Sequence, residues 1–268
     1  MNEARPEQGH EHEGAGGRRR RGGIYLLPNL LTTGALFAGF YAIVAAGQGR
    51  FQAAAVAVLV AMVLDGLDGR VARLTQTQSA FGAQLDSLSD MVSFGLAPAL
   101  VMYEWSLSSL RDLAWYGGKL GWLAAFVYVA GAALRLARFN VQAPTADRRY
   151  FQGLPSPAAA AVMVGLVWTA HDLGWPGPAL AWPALLLTVC CGGLMVSRFA
   201  YYSFKELRGQ QRVPFTAMLL VVAALVLVAY DPPKVLFLVF FAYLLSAPLQ
   251  TALRAVRRRR RQRPAAGG

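Results

Sequence analysis

Four aspartates in one short stretch are the residues most able to do chemistry in this chain. Asp65 and Asp68 lie three residues apart, which places them on one face of a helix. Asp86 and Asp90 lie four residues apart and share a face in the same way. The polar residues at 75–79 predict a short loop, which makes the two helices antiparallel neighbours. The pattern therefore predicts that the two acidic faces converge on one pocket.

The ligand chemistry of this stretch points to hard metal ions. Carboxylates stand here without any nearby His or Cys, and oxygen ligands favour Mg²⁺ or Mn²⁺ over Zn²⁺. Two divalent cations balance four carboxylates, and paired metals about 3.5–4 Å apart suit displacement at phosphorus. Gly69 and Gly82 lie on the same faces as the acids and let a phosphate approach the backbone. The stretch predicts a two-metal site for phosphoryl chemistry.

The composition around this cluster is that of a protein dissolved in lipid. Of the 268 residues, 56% are hydrophobic and 15% are charged, and the mean hydropathy is +0.39. Soluble domains are about 45–50% apolar and about 25% charged. The apolar excess excludes a disordered chain, and the lack of period-2 alternation argues against barrel strands. The sequence predicts an all-α polytopic membrane helix bundle with about eight transmembrane helices, at 26–46, 51–67, 80–102, 120–137, 156–173, 178–196, 214–230 and 234–252.

The basic residues predict how these helices are oriented. If the N-terminus is cytoplasmic, nearly all Lys and Arg fall on the cytoplasmic side, as the positive-inside rule requires. The exceptions are Arg50, Arg111, Lys119 and Lys234. Both termini are therefore predicted to be cytoplasmic, with the acid cluster at the cytoplasmic face of the cell membrane. The net charge of +12 is assigned to contacts with anionic membrane lipids, and no nucleic-acid partner is expected because no basic domain stands apart.

Changes in composition along the chain predict four regions. Residues 1–23 form a disordered basic cytoplasmic tail, and residues 24–200 form the catalytic membrane domain. Residues 201–253 hold a loop and two additional transmembrane helices, and residues 254–268 form a second basic cytoplasmic tail.

A cation-coupled transporter is the alternative from a different class of protein, because carboxylates inside membranes also line ion pathways. Such a pathway places acids at several depths of the bilayer. Here the acids cluster at one face, which favours an enzyme.

The residues from Asp65 to Asp90 resemble the signature of the CDP-alcohol phosphatidyltransferases. That signature reads DxxDG, xxAR, eight residues, then GxxxDxxxD, and it matches here at Asp65, Asp68, Gly69, Ala72, Arg73, Gly82, Asp86 and Asp90. The resemblance covers about residues 24–200. It implies a reaction in which an alcohol attacks the β-phosphorus of a CDP-linked lipid and CMP leaves. It also implies that the four aspartates hold two divalent cations, and that Asp90 is the general base on the incoming hydroxyl.

The same resemblance implies a set of contacts to the CDP-lipid. Gly69, Arg73 and Ser79 correspond to the family's positions for the CDP moiety, together with Ala72 and Gly82. Asn29 and Thr32, at the start of the first helix, are similar to further nucleotide contacts. A helix cap at the membrane interface is an equal alternative for Thr32.

Three further segments, 133–141, 151–160 and 196–207, resemble the phosphatidylserine synthase branch of this family. This branch implies CDP-diacylglycerol and L-serine as substrates and phosphatidylserine and CMP as products. Arg pairs well with a carboxylate, so the acceptor site is assigned first to Arg138, with further contacts from Arg135, Asn140, Arg198 and Lys205. Glycerol phosphate, inositol phosphate or choline as acceptor stays an alternative. The family resemblance also implies a homodimer.

Overall fold

The computed structural model describes residues 22–113, 117–142, 150–202 and 215–261, which are almost entirely helical. The elements are α1 (Gly22–Gly47), α2 (Phe51–Leu74), α3 (Ala80–Asp90), a π-helical turn called here the π-segment (Met91–Leu96), α4 (Ala97–Trp105), a 3₁₀ turn (Leu107–Ser109), α5 (Leu110–Leu113), α6 (Gly117–Gln142), β1 (Tyr150–Gln152), α7 (Ser156–Asp172), a 3₁₀ turn (Gly177–Leu180), α8 (Ala181–Val196), β2 (Ala200–Tyr202), α9 (Phe215–Tyr230) and α10 (Pro232–Arg261).

Six helical stretches of the described residues are long and apolar enough to cross a membrane, which makes the chain a polytopic helix bundle. They are Leu27–Gly47, Phe51–Leu74, Ala80–Trp105, Gly117–Val141, Gly177–Val196 and Pro232–Thr251. Helix α7 has 17 residues, and the apolar part of α9, Val221–Tyr230, is also shorter. All eight predicted apolar segments lie in helices. Eight crossings and the cytoplasmic position of both termini stay predictions.

Small side chains let α1 and α2 pack closely along their length. Ala38 and Ala42 of α1 and Ala54 and Ala61 of α2 are buried, and these two helices share an extensive contact. Small residues are typical of membrane helix interfaces because they allow the backbones to approach. The large apolar side chain of Phe37 points outward, as expected for a surface that faces lipid.

Helix α7 lies in the centre of the bundle, where it packs against α2, α4 and α10. At its C-terminal end, Lys234 of α10 forms ion pairs with Asp172 (3.1 Å) and Asp231 (2.6 Å). This link fastens the last helix to the central one at the end of α7 that lies away from Ser156.

Helices α6 and α8 approach so closely that only glycine fits at their contact. A Cβ atom on Gly131 would lie 2.5 Å from the carbonyl oxygen of Gly192. This contact fixes α6 against α8 and therefore fixes the residues that α6 presents to the rest of the bundle.

Strands β1 and β2 pair antiparallel, with Phe151 opposite Tyr201. The pair joins the segment before α7 to the segment after α8. The sequence did not predict these short strands, since each has only three residues.

Candidate functional site

The predicted convergence of the acidic residues is present in the structure. Oxygens of Asp65 and Asp68, from the C-terminal part of α2, and of Asp86, from α3, all lie within 4.8 Å of one another. Asp68 is buried, and the other two are half-buried. Helix α1 packs against both α2 and α3, so it holds the two acidic helices in place.

Asp90 lies beside this group of three. Its carboxyl group is within hydrogen-bonding range of that of Asp65. Its Oδ1 atom is buried and has no hydrogen-bond partner among the described residues. A buried carboxylate oxygen without a partner is costly, so this atom is available for a cation or a substrate hydroxyl.

The loop between the acidic helices is shaped by local hydrogen bonds. Ser79 caps α3, because its Oγ accepts from the backbone N–H of Gly82 at 3.0 Å. Gln76 has a positive φ of 54°, which turns the chain sharply after α2. The hydroxyls of Thr75 and Thr77 lie 2.7 Å apart and close the turn.

Thr32 of α1 contacts the acid cluster directly. Its hydroxyl lies 2.6 Å from Oδ2 of Asp68 and donates to it, while the carbonyl oxygen of Pro28 lies 3.1 Å away. The backbone carbonyl of Thr32 accepts in turn from Ser89 of α3 at 3.2 Å. Thr32 therefore connects α1 to both acidic helices, and its assignment as a nucleotide contact stays a prediction.

Asn29, Ser79 and Gly82 form a small polar cluster at the start of α3. A Cβ atom on Gly82 would lie 3.1 Å from Oγ of Ser79 and 3.2 Å from Oδ1 of Asn29. The structure thus brings together three residues that the sequence assigned to the CDP-lipid. Any side chain at position 82 would press on the other two.

Arg73 lies along its own helix over Gly69. A Cβ atom on Gly69 would lie 3.5 Å from Nη1 of Arg73, and the Arg73 side chain is exposed. Ala72 is half-buried, and its carbonyl oxygen accepts from the N–H of Thr77 at 3.1 Å. These residues lie at the same end of α2 as Asp65 and Asp68.

Arg135, from the C-terminal half of α6, faces the acid cluster. Its Nη1 donates to Oγ of Ser156 at 2.7 Å, and its charge interacts with that of Asp90. Ser156 is fully buried at the start of α7. Sequence analysis missed Ser156, although it lies in the segment 151–160 that carries the branch resemblance.

Arg138 binds backbone carbonyls where α6, β1 and α8 meet. Its Nη2 donates to the carbonyl oxygen of Gln152 at 2.6 Å and lies 3.4 Å from that of Met195, and its Nη1 donates to that of Val196 at 3.2 Å. The side chain therefore holds the chain around the predicted acceptor site. Its assignment to the acceptor carboxylate stays a prediction.

The remaining acceptor residues are less concentrated. Nδ2 of Asn140 lies 3.1 Å from Oγ of Ser87, which links α6 to the acidic helix α3. Arg198 follows α8 and is exposed. Lys205 lies outside the described residues.

The sequence model of the CDP-alcohol phosphatidyltransferase family matches residues 25–192, which include all of these helices up to α8. The chain belongs to this family. The resemblance found in the signature residues is therefore confirmed.

Characterised members of the family are similar to this chain over most of its length. A relative from Helicobacter pylori is 36% identical over 222 residues, which cover 83% of this chain and 89% of the relative. One from Mycobacterium leprae is 32% identical over 240 residues, 86% of this chain and 76% of the relative. One from Methanocaldococcus jannaschii is 41% identical over 108 residues, 40% of this chain and 47% of the relative. All three are named CDP-diacylglycerol–serine O-phosphatidyltransferase.

The residues of the acid cluster fit the divalent cations that this family uses. The ligands are carboxylate oxygens, which suit Mg²⁺ or Mn²⁺. Among the described residues, no Lys or Arg forms an ion pair with any of the four aspartates. The negative charge of the cluster and the orphaned Oδ1 of Asp90 therefore call for a cation from outside the chain.

Proposed function

We propose that this chain transfers the phosphatidyl group of CDP-diacylglycerol to the hydroxyl of L-serine, giving phosphatidylserine and CMP. The observation that carries the proposal is the meeting of Asp65, Asp68 and Asp86 within 4.8 Å at the end of α2, inside the matched family region. The names of the relatives support serine as the acceptor, since the similarity to the first of them covers most of both chains.

Two divalent cations, Mg²⁺ or Mn²⁺, are held by Asp65, Asp68, Asp86 and Asp90 in this proposal. When bound, they supply positive charge to the pyrophosphate and to the departing CMP. Asp65 and Asp86 come from different helices, so the site needs the correct packing of α2 against α3 through α1.

Asp90 is the general base. A serine hydroxyl is a weak nucleophile at neutral pH and needs a positioned proton acceptor. The acceptor oxygen forms a bond to the β-phosphorus while the bond from that phosphorus to the bridging oxygen breaks. The hydroxyl proton moves to Asp90, and CMP carries away the bridging oxygen. The orphaned Oδ1 of Asp90 supports this role, because it has no competing partner among the described residues.

The CDP moiety lies over Gly69 and Gly82 in this proposal. Both positions lack a side chain on the faces that carry the acids, which leaves the backbone accessible to phosphate. Asn29, Ser79 and Arg73 supply polar contacts around it, while Thr32 orients Asp68.

The acceptor serine binds on the α6 side of the cluster. Arg135 is the cation nearest Asp90 there, and it provides a partner for the serine carboxylate. Arg138, Asn140, Arg198 and Lys205 complete the predicted acceptor site, with Arg138 also holding the surrounding backbone.

We further propose that the enzyme lies in the cell membrane as a homodimer with its active site at the cytoplasmic face. The six apolar helices support a multi-pass arrangement, and the distribution of Lys and Arg supports the orientation. The proposal keeps eight crossings, two cytoplasmic basic tails at 1–23 and 254–268, and the two additional helices of 201–253.

The test is acceptor selectivity in the purified full chain. With CDP-diacylglycerol and Mn²⁺ or Mg²⁺, labelled serine is expected to give labelled phosphatidylserine and an equal amount of CMP. Chelation of the metal is expected to stop the reaction, and added Mn²⁺ or Mg²⁺ is expected to restore it.

Product with glycerol phosphate, inositol phosphate or choline in place of serine would contradict only the acceptor. No lipid product with any acceptor would contradict the enzyme itself. Cation-coupled uptake into proteoliposomes without lipid turnover would instead support the transporter alternative.

A further inference from the structure

The helix that carries Asp90 changes its geometry immediately after this residue. In the π-segment, the N–H of Ala97 bonds to the carbonyl oxygen of Val92, five residues earlier. An α-helix uses bonds that span four residues. Single π turns inside α-helices are rare and are frequent at functional sites, so the position of this one next to Asp90 needs a cause.

Pro98 provides that cause. In an α-helix the carbonyl of Phe94 would accept from the N–H of residue 98, but proline has no N–H and its ring collides with that carbonyl. A wider turn relieves the collision but leaves the Phe94 carbonyl without its α-helical donor. Phe94 is fully buried, and a buried carbonyl without a partner is costly.

Tyr128 of α6 supplies the missing donor. Its hydroxyl donates to the Phe94 carbonyl oxygen at 3.0 Å, and its side chain is fully buried. On the other side, Oγ of Ser93 donates to the carbonyl oxygen of Ala35 in α1 at 3.0 Å. The π-segment is thus held by one hydroxyl bond to α6 and one to α1.

We propose that Tyr128 is a positioning residue for Asp90 and acts through the carbonyl of Phe94. Phe94 lies about one turn beyond Asp90, so the bond to Tyr128 sets the rotation of the turn that follows the base. Tyr128 lies seven residues before Arg135, on the same face of α6. One helix therefore holds the π-segment and presents Arg135 to Asp90. The inference rests on the proposed function for the role of Asp90.

The test compares Tyr128→Phe with Ser106→Ala in the purified full chain. Each change removes only a hydroxyl that donates to a backbone carbonyl in the buried interior. Ser106 donates to Gly177 at 2.7 Å and lies beyond α4, at the opposite end of the span from Asp90. It is therefore a matched control for lost stability.

We expect Tyr128→Phe to lower kcat by roughly 10- to 100-fold while KM for serine and for CDP-diacylglycerol stays within about twofold, because small misplacements of a catalytic group have effects of this size. Mn²⁺ binding, measured on the free protein by the electron paramagnetic resonance of unbound Mn²⁺, is expected to weaken in the same variant. Ser106→Ala is expected to change neither quantity. The inference is overturned if Tyr128→Phe matches Ser106→Ala in both kcat and Mn²⁺ affinity.

Two further measurements keep the test decisive. If Tyr128→Phe does not fold, Ser93→Ala removes the other hydroxyl bond of the π-segment and is expected to lower kcat in the same way; unchanged kcat and Mn²⁺ affinity would overturn the inference. If the parent chain turns over no lipid, the proposed function fails. The Mn²⁺ comparison then decides the inference alone, with weaker binding in Tyr128→Phe supporting it and equal binding overturning it.

Discussion

Thr32 donates a 2.6 Å hydrogen bond to Asp68 across an interface between two helices, although 36 positions separate the residues. Both side chains are buried. A carboxylate that accepts a short hydrogen bond is held in one orientation, and here that orientation turns Asp68 towards Asp65 and Asp86. The first helix of the bundle thus takes part in shaping the acid cluster.

Removal of the Thr32 hydroxyl is expected to loosen the cluster. We predict that Thr32→Val lowers kcat about tenfold or more and weakens Mn²⁺ binding, while Thr32→Ser keeps both near the parent values because it retains the donor. Thr188→Val is the control, since its buried hydroxyl bonds within its own helix to Ala184 at 2.7 Å. Equal kinetics for Thr32→Val and Thr188→Val would contradict the role of this bond.

Gly82 is predicted to be needed for space rather than for flexibility. In Gly82→Ala the new methyl group presses on Ser79 and Asn29, so we expect KM for CDP-diacylglycerol to rise about tenfold or more. Gly193→Ala, at a helical glycine with nothing within 4 Å of the new Cβ, is expected to leave KM unchanged and to raise stability by up to about 1 kcal/mol. Steady-state kinetics at varied CDP-diacylglycerol check this, and an unchanged KM in Gly82→Ala would exclude the crowding.

Arg138 is predicted to stabilise the fold as well as the acceptor site. Lys lacks the planar fork that reaches several carbonyls at once, so Arg138→Lys is expected to lower the free energy of unfolding by about 1–3 kcal/mol. Arg198→Lys is the control, because Arg198 is exposed. Thermal unfolding in detergent compares the two, and equal midpoints would show that the carbonyl contacts contribute little.

The local part of the site could be predicted from the sequence, because helical spacing places side chains on a face without any tertiary information. Asp65 with Asp68, and Asp86 with Asp90, follow from that periodicity alone. The signature spacing gave the family, which the comparisons confirm.

The contacts between distant segments could not be predicted in this way. The bonds from Thr32 to Asp68 and from Arg138 to the α8 carbonyls depend on how whole helices pack, which no local pattern records. Pro98 was a readable signal for an irregular turn, since it removes a helix donor in the middle of an apolar run. The choice of Tyr128 as the replacement donor needed the structure.

The central claim is that Asp90 takes the proton of the acceptor hydroxyl, and Asp90→Asn tests it most directly. The measurement is turnover of CDP-diacylglycerol with serine, beside equilibrium binding of CDP-diacylglycerol, with Asp172→Asn as a control at the far end of α7. We predict that Asp90→Asn loses turnover by at least roughly 100-fold yet still binds CDP-diacylglycerol, and that Asp172→Asn keeps turnover. Turnover in Asp90→Asn equal to that of the parent would contradict the account.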